Sequence, residues 1–224
     1  MASPPVRGNA LLDPQNAQHT NMIRTPLFLS ASDIDTVMAV GAAHRRAHER
    51  EPFDTMYLQH NVGVPKALQP IFDRVVEHVR RIDKEHWGLM DANELHFGHG
   101  EGGVNARTIE FHEYSQRGRK VCGCHYDSGS LFTVDFMLSD TRAFEGGDMR
   151  STIKTSGAHG QAVCEQHSIQ TFEQGDCLVF LSHKWHSVLP VTRGTRTVMV
   201  IEFWEGEPCT ENQRCMGACF GEQQ

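Results

Sequence analysis

The sequence predicts a mainly β domain, an antiparallel barrel or jelly roll with helices packed on its outside. Two stretches with an apolar period near that of a helix fall in the first 90 residues. From residue 93 onward the period changes to two, and no helical stretch interrupts the later β-type runs. The 224 residues suit one domain with an extension rather than two separate cores.

Residues 1–28 mix Pro, Asn, Gln and Thr without a period and read as a loosely held arm. Ser30 or Ser32 then caps a helix whose stripe is Ile34, Val37, Met38 and Gly41, running into the charged stretch before Pro52. In a second helix, Leu68, Ile71, Phe72, Val75, Val76, Val79 and Ile82 hold one face. In the run Arg107 to Tyr114, Ile109 and Phe111 point one way and Glu110, His112 and Tyr114 the other, which marks a strand with one polar face. Ser130–Leu138, Cys177–Leu181 and Thr195–Phe203 are further strand candidates, bounded by turns such as Glu145-Gly-Gly-Asp148 and Gln174-Gly-Asp176. The domain then spans 29–224: a helical cover over about 29–90, a β core over about 92–204 and a cysteine-containing tail over 205–224.

Apolar residues make up 39% and charged residues 22%, the balance of a folded globular chain. Apolar runs such as Val198–Ile201 fall far short of the roughly 20 residues of a membrane span, so no membrane partner is expected. A net charge of −7 argues against nucleic acid as a partner, because phosphate binding is driven by Lys and Arg. The first residues lack the apolar core of a secretory signal, which points to cytosol or nucleus. Seven cysteines, an odd number, make a full disulfide framework improbable and reduced thiols the expectation.

The chemistry concentrates in Cys124-His-Tyr-Asp-Ser128. On an extended strand, residues two apart face one side, so His125 and Asp127 deliver an imidazole and a carboxylate together. A second imidazole, His183 or His186, would complete a two-His, one-carboxylate triad, which leaves coordination positions open and suits non-haem Fe(II).

The order of these motifs resembles one family. His125-x-Asp127, Gly146-Gly147 after a strand ending in Met137-Leu-Ser-Asp140, Gly175-Asp176-x-x-x-Phe180 and His186-x-Val188-x-Pro190-Val191-x-x-Gly194-x-Arg196 resemble the Fe(II)- and 2-oxoglutarate-dependent dioxygenases, in their prolyl 4-hydroxylase-like branch. The resemblance spans about residues 92–204. It implies a double-stranded β-helix, with Fe(II) held by His125, Asp127 and His186 as metal ligands and catalytic residues, and His183 on the rim. It further implies 2-oxoglutarate as cosubstrate, O2 as oxidant and ascorbate as reductant. Cosubstrate contacts fall to Arg196, whose planar fork suits a carboxylate, to Tyr114 and to Thr133. The reaction implied is hydroxylation of a C–H bond in a protein side chain, a prolyl ring being one case, or in a small molecule, with release of succinate and CO2.

Departures from the pattern matter. Asp135 and Met137 stand where prolyl hydroxylases often carry apolar residues or tyrosine, and Cys122 replaces a tyrosine three residues before His125. These changes weigh against peptidyl proline but leave the iron chemistry intact. A buried Asp135 needs a partner. Oxidative demethylation of nucleic acid is a rival, but such enzymes usually carry a second arginine six residues after the first, where this chain has Glu202. The other rival is a non-catalytic barrel that binds a metal or ligand as a sensor or docking module; retention of the full triad and Arg196 argues against it.

Three smaller features complete the reading. Cys209, Cys215 and Cys219 could join Cys164 or a histidine around structural zinc, though free or redox-labile thiols are the plainer account. The basic run Arg117-Gly-Arg-Lys120 reads as a solvated loop, and His96 and His99 belong to a glycine-rich loop over the pocket. The substrate and the oligomeric state leave no mark in the sequence.

Overall fold

The structure, a computed structural model, describes residues 8–49, 55–118, 122–156, 162–170 and 172–216. In chain order the helices are α1 (Pro14–Ala17), α2 (Ala31–Ala47), α3 (Gln69–Ile82) and α4 (Leu89–Ala92). The strands are β1 (Ile23–Thr25), β2 (Met56–Tyr57), β3 (His96–Phe97), β4 (Gly103–Ser115), β5 (Cys122–His125), β6 (Phe132–Met137), β7 (Glu145–Gly146), β8 (Met149–Ser156), β9 (Ala162–Gln170), β10 (Cys177–Leu181), β11 (His186–Val188), β12 (Val191–Arg193) and β13 (Thr195–Glu205).

The larger sheet runs β1-β10-β6-β13-β4-β2, with β3 alongside β4, and faces a four-stranded sheet β5-β11-β8-β9. A short β12-β7 ladder lies beside them. The curled pair of sheets is the double-stranded β-helix, with the helices on the outer face of the larger sheet.

Alternation decides which side chain goes where. On β4, β6, β10 and β13 the outward set, including Phe111, Phe136, Val179 and Ile201, joins Val37, Val75 and Val79 of the helices in the main core. The opposite set, including Tyr114, Met137, Phe180 and Val198, meets Met149 and Val188 of the smaller sheet in a second cluster. That inner side also carries polar residues, since Val200 of β13 pairs with Glu110 of β4 and with Asp135 of β6. The larger sheet is thus sealed by apolar packing on one face and lines a polar interior with the other.

The helices follow from their caps and stripes. Ser30 caps α2, and Asp33 closes the reciprocal bond to the Ser30 backbone. Met38 is 38% exposed and lies off the buried stripe. Gly41 is required by contact, because a Cβ there would lie 2.8 Å from the Phe111 ring. The stripe of α3 buries Ile71, Val75, Val79 and Ile82 as its period predicts.

Three features differ from the sequence expectation. The N-terminal segment is built into the fold: Leu11 and Ala17 are buried in the main core, and β1 pairs with β10. Its apolar residues are scattered without a period, so only tertiary contact reveals their role. The long β8–β9 hairpin gives no alternating signal because its residues are largely polar. Cys209 and Cys215 are joined in a disulfide, which closes a tail hairpin instead of leaving two thiols for zinc or redox chemistry. Cys219 lies outside the described residues, as do Arg119 and Lys120 of the basic run.

Candidate active site

His125 ends β5 and His186 begins β11, and the antiparallel register sets the two residues directly opposite one another. Cross-strand partners project to the same side, so the rings lie with centroids 4.3 Å apart. Asp127 follows β5 by two residues and is pinned by its backbone N–H, which donates to the Ser182 carbonyl at 2.8 Å. Its carboxylate lies 3.2 Å from His125 Nε2 and 3.7 Å from His186 Nε2. One donor atom from each of the three fits within 4.8 Å of the others, and among the described residues no other group of His, Cys, Asp and Glu does so.

Neighbouring groups orient these donors. His186 Nδ1 lies 2.9 Å from the Lys184 carbonyl and His125 Nδ1 lies 2.7 Å from the Gly123 carbonyl. Each ring therefore directs its Nδ1 to backbone and turns its Nε2 toward Asp127. Thr133 Oγ1 donates to Asp127 Oδ2 at 2.7 Å and also meets Ser182 Oγ at 2.8 Å. Thr133 is thereby turned toward the triad carboxylate rather than toward Arg196.

The buried Asp127 carboxylate dominates the electrostatics of the triad. Burial favours a neutral Asp127, yet the charge of His186 and the hydrogen bond from His125 hold the carboxyl below its ordinary range. Burial likewise opposes a charged His125, but Asp127 overrides it and pushes the imidazole up to about 10. His186 moves the other way, lowered chiefly by its burial.

Arg196 is 1% exposed on β13, paired with Tyr114 across the ladder. Its guanidinium lies 5.4 Å from the centre of the Tyr114 ring and 5.9 Å from that of Phe172. None of its three nitrogens has a hydrogen-bond partner. The buried Asp135 stands 4.0 Å away, too far for a hydrogen bond, and its own Oδ1 is unpartnered. Desolvation raises the Asp135 carboxyl, against the pull of Arg196. Gly147, at φ +71°, makes room for the Arg196 stem, since a Cβ there would lie 2.9 Å from Arg196 Cδ.

A cavity of about 70 Å³ holds the triad together with Glu110, His112, Tyr114, Thr133, Asp135 and Arg214. Arg196 lines a neighbouring cavity of about 340 Å³, and Met149 stands between the two as a wall of both. His183 points elsewhere: its Nδ1 bonds the Leu12 carbonyl and its ring meets Tyr126. His96 and His99 line neither of these cavities, and His99 pairs with Glu207.

Arg214 leaves no mark of its role in the sequence. The tail hairpin is held to the barrel through backbone: Gln59 Nε2 donates to the carbonyls of Glu211 and Gln213 at 3.1 and 3.0 Å, and Arg107 Nε donates to that of Cys215 at 2.7 Å. From there the Arg214 side chain enters the cavity and pairs with Glu202, with Glu110 at 3.4 Å and with Asp127 at 3.9 Å. The isolated tail carries no periodicity that would announce this.

No protein-family model matches the chain, and no curated protein matches its sequence. Solved structures do match its shape. A 2OG-Fe(II) oxygenase family oxidoreductase from Burkholderia pseudomallei superposes with a TM-score of 0.53 at 16% identity, covering 96% of this chain and 99% of that one. A prolyl-4-hydroxylase from Pseudomonas putida gives 0.53 at 16% identity, over 87% and 97% of the two chains. HygX from Streptomyces hygroscopicus, solved with nickel and 2-oxoglutarate bound, gives 0.56 at 12% identity over 96% of each. The curled sheets, the strand order and these superpositions together establish that the chain has the double-stranded β-helix fold of the prolyl-4-hydroxylase-like and other 2OG-Fe(II) oxygenases.

Proposed function

We propose that this chain is an Fe(II)- and 2-oxoglutarate-dependent dioxygenase that hydroxylates a C–H bond of a small molecule or a protein side chain. The observation that carries the reading is the pairing of an oriented His-Asp-His triad with a fully buried arginine whose nitrogens lack partners. A buried guanidinium without hydrogen bonds is costly, and a ligand carboxylate would satisfy it. The donor set, two imidazoles and one carboxylate on one side of the metal position, fits Fe(II) with coordination sites left open.

In this reading His125 and His186 hold the metal through Nε2 and Asp127 through its carboxylate. When bound, Fe(II) with 2-oxoglutarate and O2 supplies the oxidising power that yields succinate, CO2 and a hydroxylated product. The chain's own residues place and shield that chemistry. Arg196 anchors the distal carboxylate of the cosubstrate, and Tyr114 supports the guanidinium from below. Thr133 keeps Asp127 in its ligating orientation. Met149, Phe180, Val188 and Val200 wall the cavity and limit the access of water.

The test is anaerobic loading of the purified protein with Fe(II), followed by 2-oxoglutarate and then air. A charge-transfer absorption that needs both components, and succinate release that needs O2 as well, are expected. Fe(II) binding without any response to 2-oxoglutarate would refute the proposal. Ascorbate enters as a reductant that sustains turnover, to be checked by omitting it.

A further inference from the structure

We propose that the carboxylates of Glu110 and Glu202 form a cage for a cationic nitrogen of the substrate, an amine or guanidinium group, and that Arg214 fills this cage until the substrate displaces it. The inference rests on the oxygenase reading above and adds the class of substrate.

The fixed and movable parts of the cage are clearly separated. Glu110 and Glu202 stand on the long central strands β4 and β13, with side chains 7% and 1% exposed. Arg214 comes from the tail hairpin and remains 32% exposed, so its long side chain can turn to water while the hairpin backbone stays in place.

Arg214 is also an imperfect occupant. It meets Glu110, Glu202 and Asp127 through the single nitrogen Nη2, and its Nε is buried without a partner. A guanidinium reaches full strength through two parallel bonds to one carboxylate, a geometry absent here. Besides Arg214, Ser130 Oγ donates to Glu202 at 2.6 Å, His112 Nε2 lies 2.7 Å from Glu110 and Thr108 Oγ1 donates to Glu110 at 3.3 Å.

Room and charge then specify what replaces it. With Arg214 in place the cavity beside the triad is about 70 Å³, space for a few waters and too little for an organic substrate. Entry of a larger group requires a wall side chain to move, and Arg214, 32% exposed, has a route to water. Departure of that cation leaves the two buried acids either to take up a proton, for which burial has already pushed Glu202 up to about 8, or to pair with another cation, and it opposes an incoming anion. A cation restores the balance, and it would sit where Arg214 Nη2 now lies, 3.9 Å from the triad carboxylate.

The test uses full-length protein loaded anaerobically with Fe(II) and 2-oxoglutarate, titrated calorimetrically with methylguanidinium, methylammonium, acetamide and acetate. Arg214→Ala empties the cage and should tighten the two cations by tenfold or more while leaving acetamide and acetate unaffected. Adding Glu202→Gln should abolish that gain. Arg214→Gln, with folding checked by circular dichroism, serves if the alanine variant is unstable. Unchanged cation affinity on removal of Arg214, or an equal gain for acetate, overturns the cage. Loss of the 2-oxoglutarate signal with cation binding retained would instead overturn the oxygenase reading alone. A capped lysine pentapeptide and spermidine, compared on Arg214→Ala, then separate a protein side chain from a free amine as the source, and failure of both to bind would also sink the proposal.

Discussion

Removing the Arg196 guanidinium should weaken 2-oxoglutarate binding severely while leaving metal binding almost untouched. Arg196 is 1% exposed, and its three nitrogens lack hydrogen-bond partners. A carboxylate that arrives there meets a desolvated fork, an interaction of about 2–4 kcal/mol once the unpaired group left by truncation is included. At 1.4 kcal/mol per decade, Arg196→Ala should raise the dissociation constant roughly 30-fold to nearly a thousandfold. Asp135, 4.0 Å from the guanidinium, tempers the gain when ionised, so Asp135→Asn should tighten the cosubstrate by up to about tenfold. Arg196→Lys should recover only part of the loss, because it keeps the charge but not the fork. The assay is anaerobic titration of the Fe(II) charge-transfer absorption with 2-oxoglutarate, beside a metal titration without it. Wild-type cosubstrate affinity in Arg196→Ala would place the anchor elsewhere.

Other expected outcomes follow from the same geometry. His125→Ala, Asp127→Ala and His186→Ala should each abolish turnover and weaken Fe(II) binding with the circular dichroism spectrum retained, whereas His183→Ala should be mild; the reverse for the two histidines would show the wrong ligand. Thr133→Ala frees the Asp127 carboxylate and should weaken Fe(II) binding by about 10- to 100-fold in equilibrium dialysis, whereas an unchanged affinity would reduce Thr133 to packing. Lys184 is buried, with its Nζ donating to the Gln18 carbonyl, and desolvation lowers it from 10.5 to about 8. A folded-state value below the unfolded one means that protonation opposes folding: the penalty is full below about 8 and fades as pH rises from there to 10.5. Lys184→Met should therefore gain stability over wild type at pH 7, by at most about 3 kcal/mol, and lose that advantage by pH 10.5; urea unfolding with no difference between these pH values would sink the argument.

Local chemistry is legible directly in the order of residues. The stripe of α3 and the alternation of β4 are legible because helix and strand periods project side chains to fixed sides, whereas the His-x-Asp spacing is legible as a motif, since Asp127 lies two residues beyond the end of β5. His186 and Arg196 were legible through the ordered motif that contains them. Tertiary structure alone decided the rest, because those relations join residues distant in the chain. The His125–His186 register, the partnerless state of Arg196 beside Asp135, and the assignment of Thr133 to Asp127 all arise from strand pairing. The burial of Leu11 and Ala17 and the entry of Arg214 from a disulfide-closed hairpin depend on aperiodic segments docking on a finished barrel. Such docking is driven by complementary surface and by backbone bonds to side chains such as Gln59, and neither leaves a period in the sequence.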